Sequence, residues 1–188
     1  MKMKVKHPII VIEGPDGTGK TTLAKALGGH YIHCGYDKSL AGNMVDFHEH
    51  VFAAAVHLSQ YSSVVIDRWR MSEVVYGNVY RSGPESPELT KKFYQLVDDS
   101  GGMFVNCMPA DKDQYLDHFT GLLQTRPEMF ESMNEVYDEY ERAIKDLETV
   151  CVPVIYDLFN KTQSFEDKCY RIKSLSQAQL SSAQLRKS

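Results

Sequence analysis

The run Ile9-Ile10-Val11-Ile12-Glu13-Gly14-Pro15-Asp16-Gly17-Thr18-Gly19-Lys20-Thr21-Thr22 decides how the rest of the chain is read. Its first four residues are all β-branched and apolar, the pattern of a strand buried on both faces, as parallel strands are. The strand enters Gly-x-x-x-x-Gly-Lys-Thr, and Leu23-Ala24-Lys25-Ala26-Leu27 then predicts a helix. Glycines at 14, 17 and 19 permit positive φ and let backbone N–H groups close around phosphate oxygens. The helix adds its free N–H groups and the positive end of its dipole. Lys20 offers a point charge to β- and γ-phosphates, and the Thr21 hydroxyl is the expected Mg²⁺ ligand. Strand, glycines, lysine and helix in this order predict a phosphate-binding loop.

The 188 residues fit one domain, or one domain with a small lid, and suffice for a sizeable core. With 43% hydrophobic and 24% charged residues the composition is globular rather than disordered or fibrous. A net charge of −4 supplies no global basic field, which argues against strong non-specific nucleic-acid binding and leaves a local basic groove open. No apolar run approaches about eighteen residues, so no membrane span is expected. Met1-Lys2-Met3-Lys4-Val5-Lys6-His7 is basic, but Glu13 and Asp16 interrupt the apolar run after it, unlike a signal peptide. Cys34, Cys107, Cys151 and Cys169 are widely spaced; buried thiols and a reducing cytoplasm (a host's, if the chain is viral) are expected. His48 and His50 fall on different sides of a helix, and no metal site built from side chains alone is expected.

Downstream, Gly28-Gly29 stops the loop helix and Tyr31-Ile32-His33-Cys34 reads as a second strand. Gly35-Tyr36-Asp37 at its end would face the ligand side of an open sheet. Phe47, Val51, Ala54, Ala55 and Leu58 predict a helix over 43–60, on which Phe52 is an acceptor-pocket aromatic or else a core or surface aromatic. Ser63-Val64-Val65-Ile66-Asp67-Arg68 is the second strong signal: an apolar strand ending in an acid and an arginine. Beside a phosphate loop, Asp67 can hold Mg²⁺ through water, and Arg68 can fork onto a second anionic group. Ser72 is expected to cap the next helix, which carries Val75, Tyr76, Val79 and Arg81.

Ser86-Pro87-Glu88 opens a further helix, closed by Ser100-Gly101-Gly102. Met103-Phe104-Val105-Asn106-Cys107 predicts a fourth strand, and a helix runs from there to about Gly121. From 128 to 148 the stripe Phe130, Met133, Val136, Tyr137, Tyr140, Ile144 and Leu147 reads as core packing. Val152-Pro153-Val154-Ile155-Tyr156 predicts a fifth strand at a sheet edge, because proline cannot donate to a ladder. Ser164 caps a last helix through Ile172, and 176–188 is a Ser/Gln-rich tail, expected to be weakly helical or disordered. Strand and helix alternate throughout, which predicts an α/β class with a parallel sheet.

These residues also resemble a family. The loop with Asp16 resembles that of thymidylate kinases, and Asp67-Arg68-Trp69-Arg70-Met71-Ser72-Glu73-Val74-Val75-Tyr76 resembles their Asp-Arg-aromatic-x-x-Ser-x-x-x-Tyr signature. Arg126-Pro127-Glu128 is similar to the Arg-x-Glu after the family's lid, and 157–172 to its last strand-to-helix passage. The resemblance implies a three-layer P-loop NTPase fold, α/β, with a five-stranded parallel sheet over 1–175 and a short lid at about 111–128. It implies ATP bound by residues 14–22, Mg²⁺ at Thr21 and Asp67, and a deoxynucleotide acceptor such as dTMP. Lys20, Arg68, Asp16 and Arg126 would be catalytic. Asp16, Tyr36, Phe52, Arg68, Trp69, Ser72, Tyr76 and Arg81 would contact the acceptor. The sequence leaves a homodimer open.

Departures from the family pattern are equally plain. His33-Cys34-Gly35-Tyr36 stands where a Glu-Pro-Gly-Gly-Thr-like stretch is expected, Phe52-Ala53-Ala54-Ala55-Val56-His57 lacks the usual arginine, and Gly77 replaces a polar residue. The lid run 117–125 holds no arginine, leaving Arg126, with Arg68 and Arg70 as possible substitutes. An opened acceptor site of this kind resembles the divergent thymidylate-kinase-like proteins of bacteriophages. Some of those phosphorylate 5-hydroxymethyldeoxyuridine within DNA, so modified DNA is the alternative acceptor. A nucleotide-binding protein without transfer is the third reading.

Overall fold

Five strands, each followed by one or two helices, make up the residues that the computed structural model describes, 4–35, 43–81, 87–122 and 128–186. In chain order they are β1 (Ile9–Glu13), α1 (Lys20–Leu27), β2 (His30–His33), α2 (Met44–Leu58), β3 (Val64–Asp67), α3 (Arg70–Tyr80) and α4 (Pro87–Ser100). Then come β4 (Met103–Cys107), α5 (Lys112–Leu122), α6 (Glu128–Glu148), β5 (Val154–Tyr156) and α7 (Phe165–Leu185). All the strands pair in parallel, in the order β2-β3-β1-β4-β5. The five-stranded parallel sheet is the one expected, and β5 lies at its edge with Pro153 just outside the ladder.

The alternation of side chains along β1 builds two cores. Ile9 and Val11 join the cluster containing Val51, Val75, Phe93, Tyr140 and Leu147 from α2, α3, α4 and α6. Ile10 and Ile12 join the cluster with Leu23, Leu27, Cys169 and Ile172 from α1 and α7. Three layers result, and β1 is buried along its whole length because both faces are covered. The stripe on α6 from Met133 to Leu147 is core, as its spacing predicts. Register pairs Ile12 with Asp67, so the carboxyl ends of β1 and β3 open side by side into the crevice where ligands of such sheets bind.

The C-terminal segment takes the helical of its two expected forms and extends the last helix past Ile172. Residues 176–185 continue α7, and Ser176, Leu180 and Ala183 are buried on one face of that helix. Gln179 Nε2 donates to the Gly102 carbonyl at 2.8 Å and Gln184 Nε2 to the Val5 carbonyl at 3.0 Å. Small serines and alanines permit the close approach; a Cβ on Gly101 would lie 2.8 Å from that of Ala183. The low-complexity composition concealed a helical stripe whose buried members are mostly small. Among the described residues, no helix is long and apolar enough to cross a membrane. The expected lid lies partly outside them; its described part is α5, whose Tyr115 and Phe119 are buried.

Candidate active site

The loop after β1 is built by glycine geometry. Gly14 has φ 141°, and a Cβ there would lie 2.3 Å from the Cys107 carbonyl oxygen, so only glycine passes β4 at this point. Gly17 and Gly19 have left-handed φ of 78° and 79°, the backbone that lets successive N–H groups converge on an anion at the start of α1. Thr18 Oγ1 donates to the Pro15 carbonyl at 2.8 Å, and Lys20 Nζ donates to the same oxygen. Burial, and then the nearby Arg68 charge, lower the Lys20 ammonium to about 8. An anion in the loop would relieve both effects by giving the ammonium a partner of opposite charge.

At the neighbouring strand end, Asp67 is fully buried. Its Oδ2 accepts from Thr21 Oγ1 at 2.8 Å and Tyr31 OH at 2.8 Å, with His33 Nδ1 3.5 Å away. Its Oδ1 is buried without a hydrogen-bond partner among the described residues. A buried carboxylate oxygen left open beside the loop threonine fits the hydration shell of a Mg²⁺ ion, and the loop fits a triphosphate. Thr21 and Asp67, the two residues expected to hold the metal, are joined by a hydrogen bond.

Arg68 comes directly after Asp67 with φ 65°, the left-handed backbone that L side chains rarely adopt. The turn brings its guanidinium into an ion pair with Asp16 of the loop and over the Tyr76 ring, 5.3 Å from the centroid. Tyr76 OH donates to Asp16 Oδ2 at 3.0 Å. Burial works to raise the Asp16 carboxyl, but the charges of Arg68 and Lys20 outweigh it and hold the group below the usual carboxylate range. Asp16, Arg68 and Tyr76 line a cavity of about 400 Å³ together with Trp69, Ser72, His48, Cys34 and Met44.

Glu13 holds these parts in register, and sequence reasoning missed it. Its Oε1 accepts from the N–H groups of Trp69 at 3.0 Å and Met71 at 3.1 Å; its Oε2 accepts from Ser72 N–H at 3.1 Å and Ser72 Oγ. A strand carboxylate thus satisfies the open N–H groups at the start of α3. Full burial raises its carboxyl to about 7, with the hydrogen bonds from Ser72 and the charge of Arg68 pulling the other way. The expectation that Ser72 caps this helix is corrected: it lies inside the first turn, and its Oγ bonds Glu13 and, at 2.8 Å, Tyr140 OH of α6. Tyr115 was missed too; its OH donates to the Asp16 carbonyl at 2.9 Å and fixes the loop from α5. No local signal could have found either residue, since their partners lie 56 to 99 positions away.

Other expected contacts distribute unevenly. Phe52 does not line this cavity: it is buried and stacks on Trp69 with centroids 5.4 Å apart, so its place is the core behind the indole. Arg81 lines the cavity but is engaged by Glu73, NH1 to Oε1 at 2.7 Å, which lowers its availability to an acceptor. Arg70 points into the core over the Phe93 ring at 5.1 Å and is no substitute for a lid arginine. Tyr36 and Arg126 lie outside the described residues. Thr22 is exposed on the first turn of α1.

No family model matches the sequence, and no curated protein matches it. Solved structures do. The YorR protein of Bacillus subtilis, determined in complex with phosphorylated GDP, aligns with a TM-score of 0.64 at 18% identity, over 90% of this chain and 95% of that one. Thymidylate kinase from Ehrlichia chaffeensis aligns with a TM-score of 0.53 at 16% identity, over 90% and 98%. Sheet order, loop and these alignments agree: the chain has the fold of the P-loop nucleotide kinases.

Proposed function

We propose that this protein is an ATP- and Mg²⁺-dependent phosphotransferase acting on a small deoxynucleotide acceptor, in the simplest case dTMP to dTDP. The observation that carries it is the Asp16–Arg68 pair. A cation and an anion are held against each other between the phosphate loop and a second cavity, where an acceptor with one anionic or hydroxyl end could take the place of either partner. A pure nucleotide binder has no use for that second half. A thymidylate kinase among the structural neighbours supports the acceptor class.

Bound Mg²⁺ would neutralise charge on the transferring phosphoryl group, and Thr21 and Asp67 would hold it. The loop N–H groups and the start of α1 would bind the donor phosphates. Lys20 would exchange the Pro15 carbonyl for a phosphate oxygen. Arg68 would orient the acceptor's anionic end in line with the donor, while Asp16, ionised and steadied by Tyr76, would accept a hydrogen bond from an acceptor hydroxyl. Closure of water from the site and alignment of the two ends are the chain's whole contribution, since phosphoryl transfer needs little covalent chemistry from protein.

Radiolabelled ATP offered with a panel of nucleoside monophosphates, and with duplex DNA carrying a hydroxymethylated pyrimidine, tests the proposal. Label is expected on at least one deoxynucleoside monophosphate, and Lys20→Ala is expected to abolish it. Label on DNA alone would move the acceptor class to modified DNA; no transfer to any acceptor, with ATP still bound, would refute the phosphotransferase.

A further inference from the structure

His48 is the least explained polar side chain of the cavity. It is 1% exposed, and neither ring nitrogen has a hydrogen-bond partner among the described residues. Aromatic rings surround it edge-on: Phe47 at 5.4 Å, Trp69 at 6.1 Å and Phe93 at 6.5 Å between centroids. Burial, reinforced by the charge of Arg70, pushes its pKa down to about 3, so the ring is neutral near pH 7 and carries one N–H donor and one bare nitrogen acceptor. A buried imidazole with two unsatisfied nitrogens costs stability, and buried polar groups without partners call for an explanation. Its backbone is held in place: Trp69 Nε1 donates to the His48 carbonyl at 3.1 Å, locking α2 to the start of α3.

The same cavity has two characters. Asp16, Arg68 and Tyr76 supply its charged part, beside the phosphate loop. Trp69, Met44 and Cys34 supply an apolar part, the Cys34 thiol being raised to about 12 by burial and therefore uncharged. His48 is the polar group set in that apolar part.

The geometry points to His48 as the residue that reads the acceptor's heterocycle: the cavity takes a nucleoside 5′-monophosphate, whose base lies in the Trp69–Met44–Cys34 slot and hydrogen-bonds the neutral imidazole. An acceptor that is only a polyol or sugar phosphate would leave this slot and this ring unused. The inference rests on the acceptor reading of the cavity given above, and extends it from the anionic end to the base.

Trp69 is the only tryptophan in the chain, so its fluorescence reports this cavity directly. Nucleoside monophosphates and deoxyribose 5-phosphate are titrated into wild-type protein and His48→Phe, with a fluorescent ATP analogue monitoring the donor site separately. His48→Phe keeps an aromatic ring, somewhat larger than imidazole, that can expand into the adjoining cavity, and removes two unsatisfied nitrogens. It is expected to fold with stability equal to or above wild type, to bind the sugar phosphate and the ATP analogue unchanged, and to bind the preferred nucleotide about tenfold or more weakly. Nucleotide binding that is equal in both proteins overturns the role of His48 and leaves the proposed function standing. Failure of wild type to bind any nucleoside monophosphate while it binds the ATP analogue overturns that function and this inference together. Should the variant not fold, ¹⁵N NMR of the wild-type imidazole decides: its ring resonances are expected to move on adding nucleotide and not on adding deoxyribose 5-phosphate, and no movement with nucleotide overturns the proposal.

Discussion

Arg68 concentrates the cost of the site in one residue. It combines a left-handed backbone, an ion pair with Asp16 and a ring contact with Tyr76, and strained conformations persist only where the surroundings over-determine them. Arg68→Ala is therefore expected to lower kcat/KM for the acceptor by about a thousandfold or more, the scale of a single arginine in phosphoryl transfer. ATP affinity, measured in the same variant, is expected to change by less than about threefold. Equal losses in both would remove Arg68 from the acceptor side. Lys20, Thr21, Asp67, Asp16 and Arg68 were all legible in the sequence because each belongs to a contiguous motif at a strand end, where residue type and spacing carry the chemistry. Glu13, Tyr31, Tyr115 and His48 were not. Their meaning depends on partners from distant strands and helices, and a lone glutamate, tyrosine or histidine has many ordinary uses.

At the scale of elements, the joint between β1 and α3 is the feature that a linear reading inverts. Ser72 has the residue type of a cap, yet the capping carboxylate comes from Glu13, across the sheet. Because the folded state raises this carboxyl from 4.5 to about 7, the native protein holds a proton that the unfolded chain releases between those values. Stability contributed by Glu13 is thus full below pH 4.5, falls as pH rises through the window, and is lost above about 7. Urea unfolding of wild type and Glu13→Gln across pH 4.5–7.5 is expected to show their difference in stability changing by on the order of 3 kcal/mol, with the variant lacking that slope. A protonated Glu13 still has an acceptor in Ser72 Oγ, which can turn its own hydrogen toward Tyr140 OH. Phe52 illustrates a further difficulty: the spacing left its role open, and only the fold shows it stacked on Trp69 and away from the lining of the cavity.

Across the whole molecule, the sheet and its two layers were legible because β-branched runs alternate with helical periods, and parallel strands buried on both faces need no subtler signal. The C-terminal helix was not, because its contacts are made by small residues and glutamine amides whose composition imitates a disordered tail. Leu180 is almost fully buried at the packing of α7 against α4 and β4. Leu180→Ala is expected to cost about 2–4 kcal/mol and to lower Tm by roughly 4–16 °C, read by thermal unfolding. An unchanged Tm would return 176–185 to the status of a dispensable tail.

Glu13 immediately precedes the first loop glycine and grips the start of the helix that bears the proposed acceptor residues, so the phosphate loop and the second cavity meet at one residue. The far wall of the cavity belongs to α2 and the end of β2, outside that joint. Such a division makes the protein evolvable in one direction. Under the proposed function, exchanges at Met44, His48 or Cys34 are expected to retune what is accepted while the alignment of phosphoryl donor and recipient is kept, whereas drift at Glu13 is expected to disturb both halves at once. Libraries meant to change acceptor preference belong on that wall, and the strand that carries Glu13 is where variation is least tolerated.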